Sequence, residues 1–256
     1  MVQKPPMFEV RQVNQRFGGF PALANLSFQI FEGERVALVG SSGVGKSTLL
    51  RLLNGTLYPT EGEVLALGYS LGQLSPRQLR RVQRHIGTIY QQLHLVDTLQ
   101  VIHNVNAGHL GRWSFLKAML SLIYPQEVGI ALQALERVGI PEKIYTRTDQ
   151  LSGGQQQRVA IARVLVQNPL VILADEPVSS LDPQRSREVM QLLSDLVKES
   201  GKTLVVSLHS VDLALEFCDR VMGLRDGRLQ FDAPTAAIAP EMLTDLYRLG
   251  ESGDNR

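Results

Sequence analysis

The stretch "VALVGSSGVGKSTLLRLL", residues 36–53, decides the fold of this chain. Its first four residues are continuously apolar, as in a β-strand that is buried on both faces. Gly40 ends that run, and from Lys46 onward the apolar residues recur at helical spacing. The segment between them fits G-x-x-x-x-G-K-[ST] in the strand–loop–helix context that this pattern needs. The stretch therefore predicts a phosphate-binding loop at the end of a buried strand.

Such a loop predicts ATP, or a similar nucleotide, and Mg²⁺ as its ligands. Its glycines let backbone N–H groups point inward at phosphate oxygens. Lys46 supplies a positive charge to the β- and γ-phosphates, and Ser47 supplies a hydroxyl to Mg²⁺. The loop residues that we predict to bind ATP are Gly40, Ser41, Ser42, Gly43, Val44, Gly45, Lys46, Ser47 and Thr48.

A second apolar strand, "LVILADE" at residues 170–176, ends in two carboxylates. Ligands bind at the carboxyl ends of the strands in open α/β sheets. We therefore predict that Asp175 holds Mg²⁺ and that Glu176 is the general base that polarises the attacking water. Together the two motifs indicate a nucleoside-triphosphatase and leave its class open.

Strands and helices on both sides of these motifs indicate an α/β protein. Residues 7–13 and 25–31 alternate apolar and polar side chains and predict antiparallel strands. Residues from about 99 to 139 favour helices, which predicts a helical insertion of about 60 residues. After Leu151 the order is helix, strand, helix, strand, which predicts a parallel sheet.

Four smaller segments carry predictions of their own. Residues 113–124, "WSFLKAMLSLIY", predict a strongly apolar helix, a kind more often found in a core than at a binding face. Residues 125–140 predict an amphipathic helix that starts with Pro125. The basic run at residues 76–85 predicts the solvated face of a helix. The Asp-Gly pair at 226–227 predicts a hairpin, and a last helix is expected from about Pro240 to Leu249.

Composition excludes several classes of protein. The chain has 256 residues and a net charge of +1, which lacks the basic excess of a sequence-independent nucleic-acid binder. Its one cysteine, Cys218, predicts an inert core thiol in a reducing compartment. We find no run of about 18 apolar residues and no signal-peptide pattern, so we expect a membrane role to be peripheral and to act through a partner.

A third motif, "LSGGQQQR" at residues 151–158, joins a hydroxyl residue and two glycines to a helix start, which suits an anion. At this motif the chain resembles the ATP-binding-cassette (ABC) ATPases, whose signature LSGGQ stands here at Leu151–Gln155. The resemblance extends from about residue 7 to residue 235. It implies that the motif serves a second copy of the chain, by contacting the ATP that this copy holds. The signature residues that would act in trans are Ser152, Gly153, Gly154 and Gln155.

The resemblance also implies roles for four further residues. Gln91 matches the Q-loop glutamine, which contacts Mg²⁺ and senses the helical subdomain, and Asp182 lies in the matching D-loop. His209 matches the switch histidine, which contacts the γ-phosphate. Phe17 stands where the family places an aromatic ring, more often Tyr, that stacks on adenine. The implied catalytic residues are then Glu176, His209 and Gln91, and the implied Mg²⁺ residues are Ser47, Gln91 and Asp175.

The implied fold is a P-loop NTPase of the ABC ATPase type. It has a RecA-like core with a parallel sheet, an antiparallel β subdomain and an inserted α-helical subdomain at about residues 92–165. Residues 1–256 would form one nucleotide-binding domain. The implied partners are a second copy of the chain, two transmembrane permease subunits and, indirectly, a solute-binding protein, with no nucleic acid. The family docks its permease on the helical subdomain, so the alternative to a core position for part of the apolar helix at residues 113–124 is contact with a permease subunit. The expected location is the cytoplasmic face of the plasma membrane.

Several features favour a bacterial importer within this family. The interval from Gln91 to Leu151 is too short for the long coiled-coil arm of DNA-repair members. We expect one cassette, without fused transmembrane helices and without the regulatory domain of sugar-importer cassettes. Residues 104–113, 134–165 and 217–234 resemble phosphonate-importer ATPases. The alternatives that remain are an importer of phosphite, phosphate or another small solute, a soluble non-transport ABC ATPase and a non-hydrolysing nucleotide sensor.

Overall fold

A computed structural model describes residues 5–247 as two β-sheets with helices packed around them. The strands, in chain order, are β1 (Phe8–Phe17), β2 (Phe20–Ile30), β3 (Arg35–Val39), β4 (Glu61–Ala66), β5 (Tyr69–Ser70), β6 (Ile86–Ile89), β7 (Val171–Asp175), β8 (Thr203–Leu208), β9 (Arg220–Arg225) and β10 (Arg228–Pro234). The helices, in chain order, are α1 (Lys46–Leu53), α2 (Pro76–Gln83), α3 (Val101–Asn106), α4 (Phe115–Ile123), α5 (Val128–Arg137), α6 (Gly153–Gln167), α7 (Pro183–Ser200), α8 (Val211–Phe217) and α9 (Pro240–Tyr247).

The smaller sheet is antiparallel and has the strand order β2-β1-β4-β5. Phe8 pairs with Ile30 and Val10 with Phe28, which confirms that the first two segments are antiparallel strands. Alternate side chains of β1 are buried because only one face of this sheet packs on the core. This sheet and the buried face of α1 share one hydrophobic cluster with one face of the larger sheet.

The larger sheet has the order β10-β9-β3-β8-β7-β6, and all of its strands except β10 run parallel. Its central strands are buried on both faces, as the continuous apolar runs predict. In β3, Val36 and Leu38 pack toward the antiparallel sheet, whereas Ala37 and Val39 pack toward the helices on the other side. The α/β fold with a parallel core is confirmed.

Between β6 and β7, all regular elements in the described part of the chain are helices. Helix α6 is the central one, and its residues 159–162 are buried. Helix α5 packs Ala131 and Leu135 into the same hydrophobic cluster. The limits of the helical subdomain, at about residues 92 and 165, stay a prediction.

The structure differs from two expectations for this helical segment. Helix α4 does not lie in the core, because nearly all of its large apolar side chains are exposed. Helix α5 begins at Val128 and not at Pro125, which lies in the connection between the two helices. The connection ends with Glu127 in the left-handed conformation at φ 50°, and its carboxylate accepts a hydrogen bond from Lys117 of α4 at 2.6 Å.

No single helix among residues 5–247 has the length and apolarity to cross a bilayer. Helices α4 and α5 reach that threshold only when taken together, and they are bent by 74° at the break between them.

The predicted hairpin near the end of the chain is confirmed. Asp226 and Gly227 have φ values of 49° and 72°, the paired left-handed conformations of a type I′ turn between β9 and β10. The predicted last helix is α9, which runs from Pro240 to the end of the described residues, and its predicted end at Leu249 lies outside them. Cys218 is buried, and burial raises the pKa of its thiol to about 12, as an inert core thiol requires.

Candidate functional site

The phosphate loop joins the carboxyl end of β3 to the start of α1. Two of its glycines are needed for packing: a Cβ on Gly40 would lie 2.2 Å from the Leu224 carbonyl oxygen, and one on Gly45 would lie 2.6 Å from that of Ala22. Gly43 has φ +80°, and a Cβ on it would meet no other atom within 4 Å, so the middle of the loop is open to a ligand. The other predicted contacts in the loop are exposed or half-buried: Ser41, Ser42, Val44, Ser47 and Thr48.

Lys46 is the buried cation of this loop. Its side chain is almost fully covered, and Nζ donates to the backbone oxygens of Gly40 at 2.8 Å and Ser41 at 3.0 Å. Burial lowers the pKa of Lys46, and the charges of Glu176 and Asp175 oppose that effect. A buried ammonium group with only neutral hydrogen-bond partners is poorly compensated. The loop therefore favours an anionic ligand, as the sequence predicts.

Asp175 ends β7 beside the loop, where two hydroxyl groups meet its carboxylate. Ser47 donates to Oδ1 at 3.0 Å, and Ser207 donates to the same atom at 2.8 Å. The hydroxyl of Ser47 and the carboxylate of Asp175 are hard oxygen donors of the type that Mg²⁺ prefers, together with phosphate oxygens and water. These residues fit a magnesium ion.

The three predicted catalytic residues meet at the carboxylate of Glu176. Nε2 of His209 lies 2.6 Å from Oε1, and Nε2 of Gln91 donates to Oε2 at 3.0 Å. These residues follow the neighbouring strands β7, β8 and β6, whose parallel alignment brings their carboxyl ends to one edge. Gln91 contacts Glu176, and no hydrogen bond between residues 5 and 247 joins it to Ser47 or Asp175.

Ser207 is a site residue that the sequence analysis missed. It is fully buried in β8 and lies opposite Asp175 in the parallel register. Its hydroxyl donates to Asp175 and accepts from the backbone N–H of Glu176 at 2.8 Å. Glu176 has a left-handed backbone with φ 46°, a conformation that costs free energy in a non-glycine residue and needs such support. The only signal in the sequence is a hydroxyl residue within an apolar strand.

We expect Ser207→Ala to lower kcat for ATP hydrolysis about tenfold with little change in ATP affinity. The variant loses one donor to Asp175 and leaves the N–H of Glu176 unpaired, which also costs about 1–3 kcal/mol of stability. Steady-state kinetics, nucleotide titration and thermal unfolding measure these effects. Ser194→Ala is the matched control, because Ser194 is equally buried but bonds to Arg35 away from the site. An equal fall of kcat in both variants would reduce Ser207 to a stability role.

Arg163 of α6 holds the segment after Gln91, and it was also missed. Its guanidinium donates to the backbone oxygens of Leu93 at 2.7 Å and His94 at 2.8 Å. Both of these residues have left-handed backbones, at φ 55° and 48°. Burial lowers the pKa of Arg163, whose hydrogen bonds to these carbonyls replace water. Because α6 also begins at the signature, one helix contacts both motifs.

The signature forms the start of α6. Ser152 is its N-cap and accepts a hydrogen bond from the N–H of Gln155 at 3.3 Å, while the Gln155 side chain accepts from the N–H of Ser152 at 3.0 Å. This capping box engages Gln155, and Gly153 and Gly154 have open space around them. No hydrogen bond or ion pair among the described residues joins Ser152–Gln155 to the phosphate loop. The signature does not complete the loop's own site within one chain.

The other two predicted residues lie at the edges of the site. Asp182 is the N-cap of α7 and accepts from the N–H of Arg185 at 3.0 Å, which gives it a structural role. A cavity of about 200 Å³ joins the start of α7 to Ser152. Phe17 ends β1 with its ring 44% exposed. The hairpin that carries it packs Leu23 against Gly45 of the loop.

Comparisons with known proteins agree with this geometry. The ABC transporter family matches residues 23–179. The Phosphonates import ATP-binding protein PhnC 3 of Halalkalibacterium halodurans is 45% identical over 242 residues, which cover 94% of each chain. The Phosphonates import ATP-binding protein PhnC of Stutzerimonas stutzeri is 46% identical, over 93% of this chain and 88% of the relative.

A solved structure shares the fold as well. It is a dimeric ATP-binding cassette in a post-hydrolysis state, bound to ADP and Pi. It has a TM-score of 0.76 and 34% identity, over 90% of this chain and 99% of that one. The chain therefore has the fold of an ABC ATPase and belongs to the ABC transporter family.

Proposed function

We propose that this chain is the ATP-binding subunit of a bacterial importer and hydrolyses ATP to drive the uptake of phosphonates. The observation that carries the ATPase role is the Glu176 carboxylate, held between Gln91 and His209 beside a phosphate loop. The relatives that are named as phosphonate import proteins support the choice of cargo. Phosphite and phosphate are the alternative cargoes, because no residue of a cassette contacts the transported molecule.

ATP binding uses the residues of the loop. The backbone N–H groups of residues 40–48 surround the phosphates, and the ring of Phe17 stacks on adenine. Lys46 exchanges its two carbonyl partners for phosphate oxygens, which compensate its buried charge. Ser47 and Asp175, with the side-chain oxygen of Gln91, would hold Mg²⁺. The ion supplies charge neutralisation on the phosphates when it is bound.

Glu176 performs the proton transfer in the hydrolysis. As water attacks the γ-phosphorus, the carboxylate takes a proton from it, a new P–O bond forms, and the bond to the bridging oxygen breaks. ADP leaves with the electron pair of that bond. His209 contacts the γ-phosphate and, through its 2.6 Å contact, orients Glu176. Ser207 fixes the backbone of Glu176 from the next strand.

The separation of the signature from the loop supports a head-to-tail homodimer. Each ATP would lie on one chain's loop and be capped by Ser152–Gln155 of the second copy, with Asp182 beside the interface. Helix α6 starts with two glycines that have open space around them, and it would aim its dipole toward the γ-phosphate on the second copy's loop. The segment at about residues 92–165 would move as one helical unit on closure. It would drive two permease subunits at the cytoplasmic face of the plasma membrane, with a solute-binding protein as an indirect partner.

Reconstitution tests the function and the cargo together. The cassette is placed in vesicles with its permease and solute-binding protein, and ATP hydrolysis is compared for methylphosphonate, phosphite and phosphate. We expect methylphosphonate to give the largest stimulation. Stimulation by phosphate or phosphite alone would overturn the cargo. If the permease leaves hydrolysis unchanged for every solute and does not hold the cassette on the vesicles, transport is the wrong role and a non-transport ATPase remains.

A further inference from the structure

Helix α9 ends beside the first residue of the phosphate loop. The helix packs on β9, where Nη1 of Arg225 donates to the backbone oxygen of Asp245 in the last turn of α9 at 2.7 Å. Gly40 touches the same strand, because a Cβ on it would lie 2.2 Å from the carbonyl oxygen of Leu224. Two consecutive residues of β9 therefore contact the last turn of α9 and the start of the loop.

Tyr247, in that last turn, lies against the start of the loop. Its ring packs on the hydrophobic cluster that includes Val39, the residue before Gly40. Its hydroxyl group lies beside the backbone of Gly40. Burial raises the pKa of Tyr247, whereas the backbone of Gly40 lowers it, as an N–H group beside the phenolic oxygen does. The hydroxyl and this N–H therefore face each other.

The hydroxyl of Tyr247 is enclosed, and no group among residues 5–247 forms a hydrogen bond with it. The contact with Gly40 therefore falls short of the geometry of a hydrogen bond. A buried polar group without a partner destabilises a fold, and most such groups in native proteins are paired. A small shift of Gly40 toward α9 would complete the pair, because a phenolic oxygen accepts hydrogen bonds.

Lys46 holds Gly40 in its observed position. Nζ of Lys46 donates to the carbonyl oxygens of Gly40 at 2.8 Å and of Ser41 at 3.0 Å. In the proposed ATPase function, the nucleotide phosphates take over this ammonium group, and both carbonyl oxygens lose their contact with it. The backbone of Gly40 is then free to move toward Tyr247.

We propose that Tyr247 is a positioning residue for the phosphate loop. Its hydroxyl accepts a hydrogen bond from the N–H of Gly40 once the nucleotide phosphates have bound Lys46. The bond fixes the first residue of the loop, whose backbone N–H groups surround the phosphates. It strengthens nucleotide binding and leaves the proton transfer at Glu176 unchanged. This inference rests on the proposed function and adds to it a residue from the last described helix.

The variant Tyr247→Phe tests the hydroxyl, because it keeps the ring in the cluster. Mg²⁺ and ADP are titrated onto the purified protein, since ADP occupies the loop without hydrolysis. We expect the Kd for ADP to rise about 2–10-fold, which is the contribution of one hydrogen bond, while kcat at saturating ATP stays within about twofold of the wild type. Unchanged ADP affinity would overturn the proposal. A fall of kcat at saturating ATP would also overturn it, because the hydroxyl would then act on the chemical step.

Thermal unfolding separates a positioning role from a purely structural one. Without nucleotide, loss of an unpaired hydroxyl should leave the Tm of Tyr247→Phe equal to that of the wild type or raise it. At a fixed ADP concentration, the rise in Tm should be smaller in the variant, because weaker binding stabilises the folded state less. A lower Tm without nucleotide would mean that the hydroxyl already stabilises the fold, and the proposal would fail.

The matched control is Tyr69→Phe. Tyr69 lies in β5 and is 57% exposed, so loss of its hydroxyl should change neither ADP affinity nor Tm. An equal loss of affinity in both variants would contradict a specific role for Tyr247. The wild type tests the underlying function by itself. If it binds ADP and hydrolyses ATP while Tyr247→Phe binds ADP as tightly, this inference alone fails, whereas a wild type that does neither overturns the proposed function as well.

Discussion

Glu176→Gln is expected to abolish turnover, to keep ATP binding and to trap a dimer that forms only with ATP. The amide is isosteric with the carboxylate, so the side chain still fits between His209 and Gln91. An amide cannot accept the proton of the attacking water, and loss of a general base lowers kcat by about 10²–10⁴-fold. ATP affinity should remain within a few-fold, because Lys46 and the loop are unchanged. Steady-state hydrolysis, nucleotide titration and sedimentation velocity measure the three effects.

The control for this variant is Glu199→Gln. Glu199 is an exposed carboxylate that pairs with Arg137 at 2.6 Å, far from the loop in the fold, and exposed pairs contribute little to stability. Its turnover should match that of the wild type. Near-normal hydrolysis by Glu176→Gln would mean that another group is the base. Loss of hydrolysis without an ATP-dependent dimer would support Glu176 as the base and contradict the head-to-tail homodimer.

The position of the predicted catalytic groups could be derived from the sequence because parallel topology fixes it. Strands with continuous apolar runs, such as β3 and β7, are buried on both faces and end at one edge of the sheet. A glycine-rich loop after one and two carboxylates after the other therefore meet. The observed bond between Ser47 and Asp175, across 128 residues of chain, follows from this topology.

The groups that hold the proposed catalytic residues in place were not predictable. Ser207 contacts Asp175 because the register of β7 and β8 places the two residues opposite each other. The register of two strands that are distant in the chain depends on both strands and cannot be derived from the sequence of either one alone. In the sequence, nothing distinguishes Arg163 from other arginines on helices. Its role depends on the fold, which places the Leu93 and His94 carbonyls within hydrogen-bond distance of it. The left-handed backbone of Glu176 is set by its surroundings and has no glycine to signal it.

Helix α4 shows a different limit. Its apolar composition correctly indicates a helix that needs a partner surface, because apolar area is driven out of water. Whether that surface is the protein's own core or another body depends on the connections, and here α4 is bent by 74° from α5 and keeps its apolar side chains exposed. Composition therefore predicts the need for burial but not what provides it.

A mixture of two inactive variants tests whether the signature acts on the second chain. Lys46→Ala removes a phosphate contact, and Ser152→Arg places a bulky side chain at the open start of α6. In a mixed dimer, trans pairing unites the intact loop of one chain with the intact signature of the other, whereas cis pairing leaves every site defective. Random pairing of equal amounts makes about half of the dimers mixed, and about a quarter of all sites are then native. Both chains also carry Glu176→Gln, so ATP occlusion replaces turnover as the measurement.

We expect ATP occlusion in the mixture and almost none in either variant alone. Ser75→Arg is the control for the loss of a helix cap. If this variant occludes ATP normally, the lost cap is not the cause of the Ser152→Arg defect. Ser75 caps α2 with the same reciprocal bonds to a glutamine three residues later, so the two substitutions remove equivalent caps of about 1 kcal/mol. Crosslinked mixed dimers that occlude no ATP would show that the two halves do not combine in trans. The separation of the signature from the loop in one chain would then require another explanation, such as closure of α6 onto its own loop.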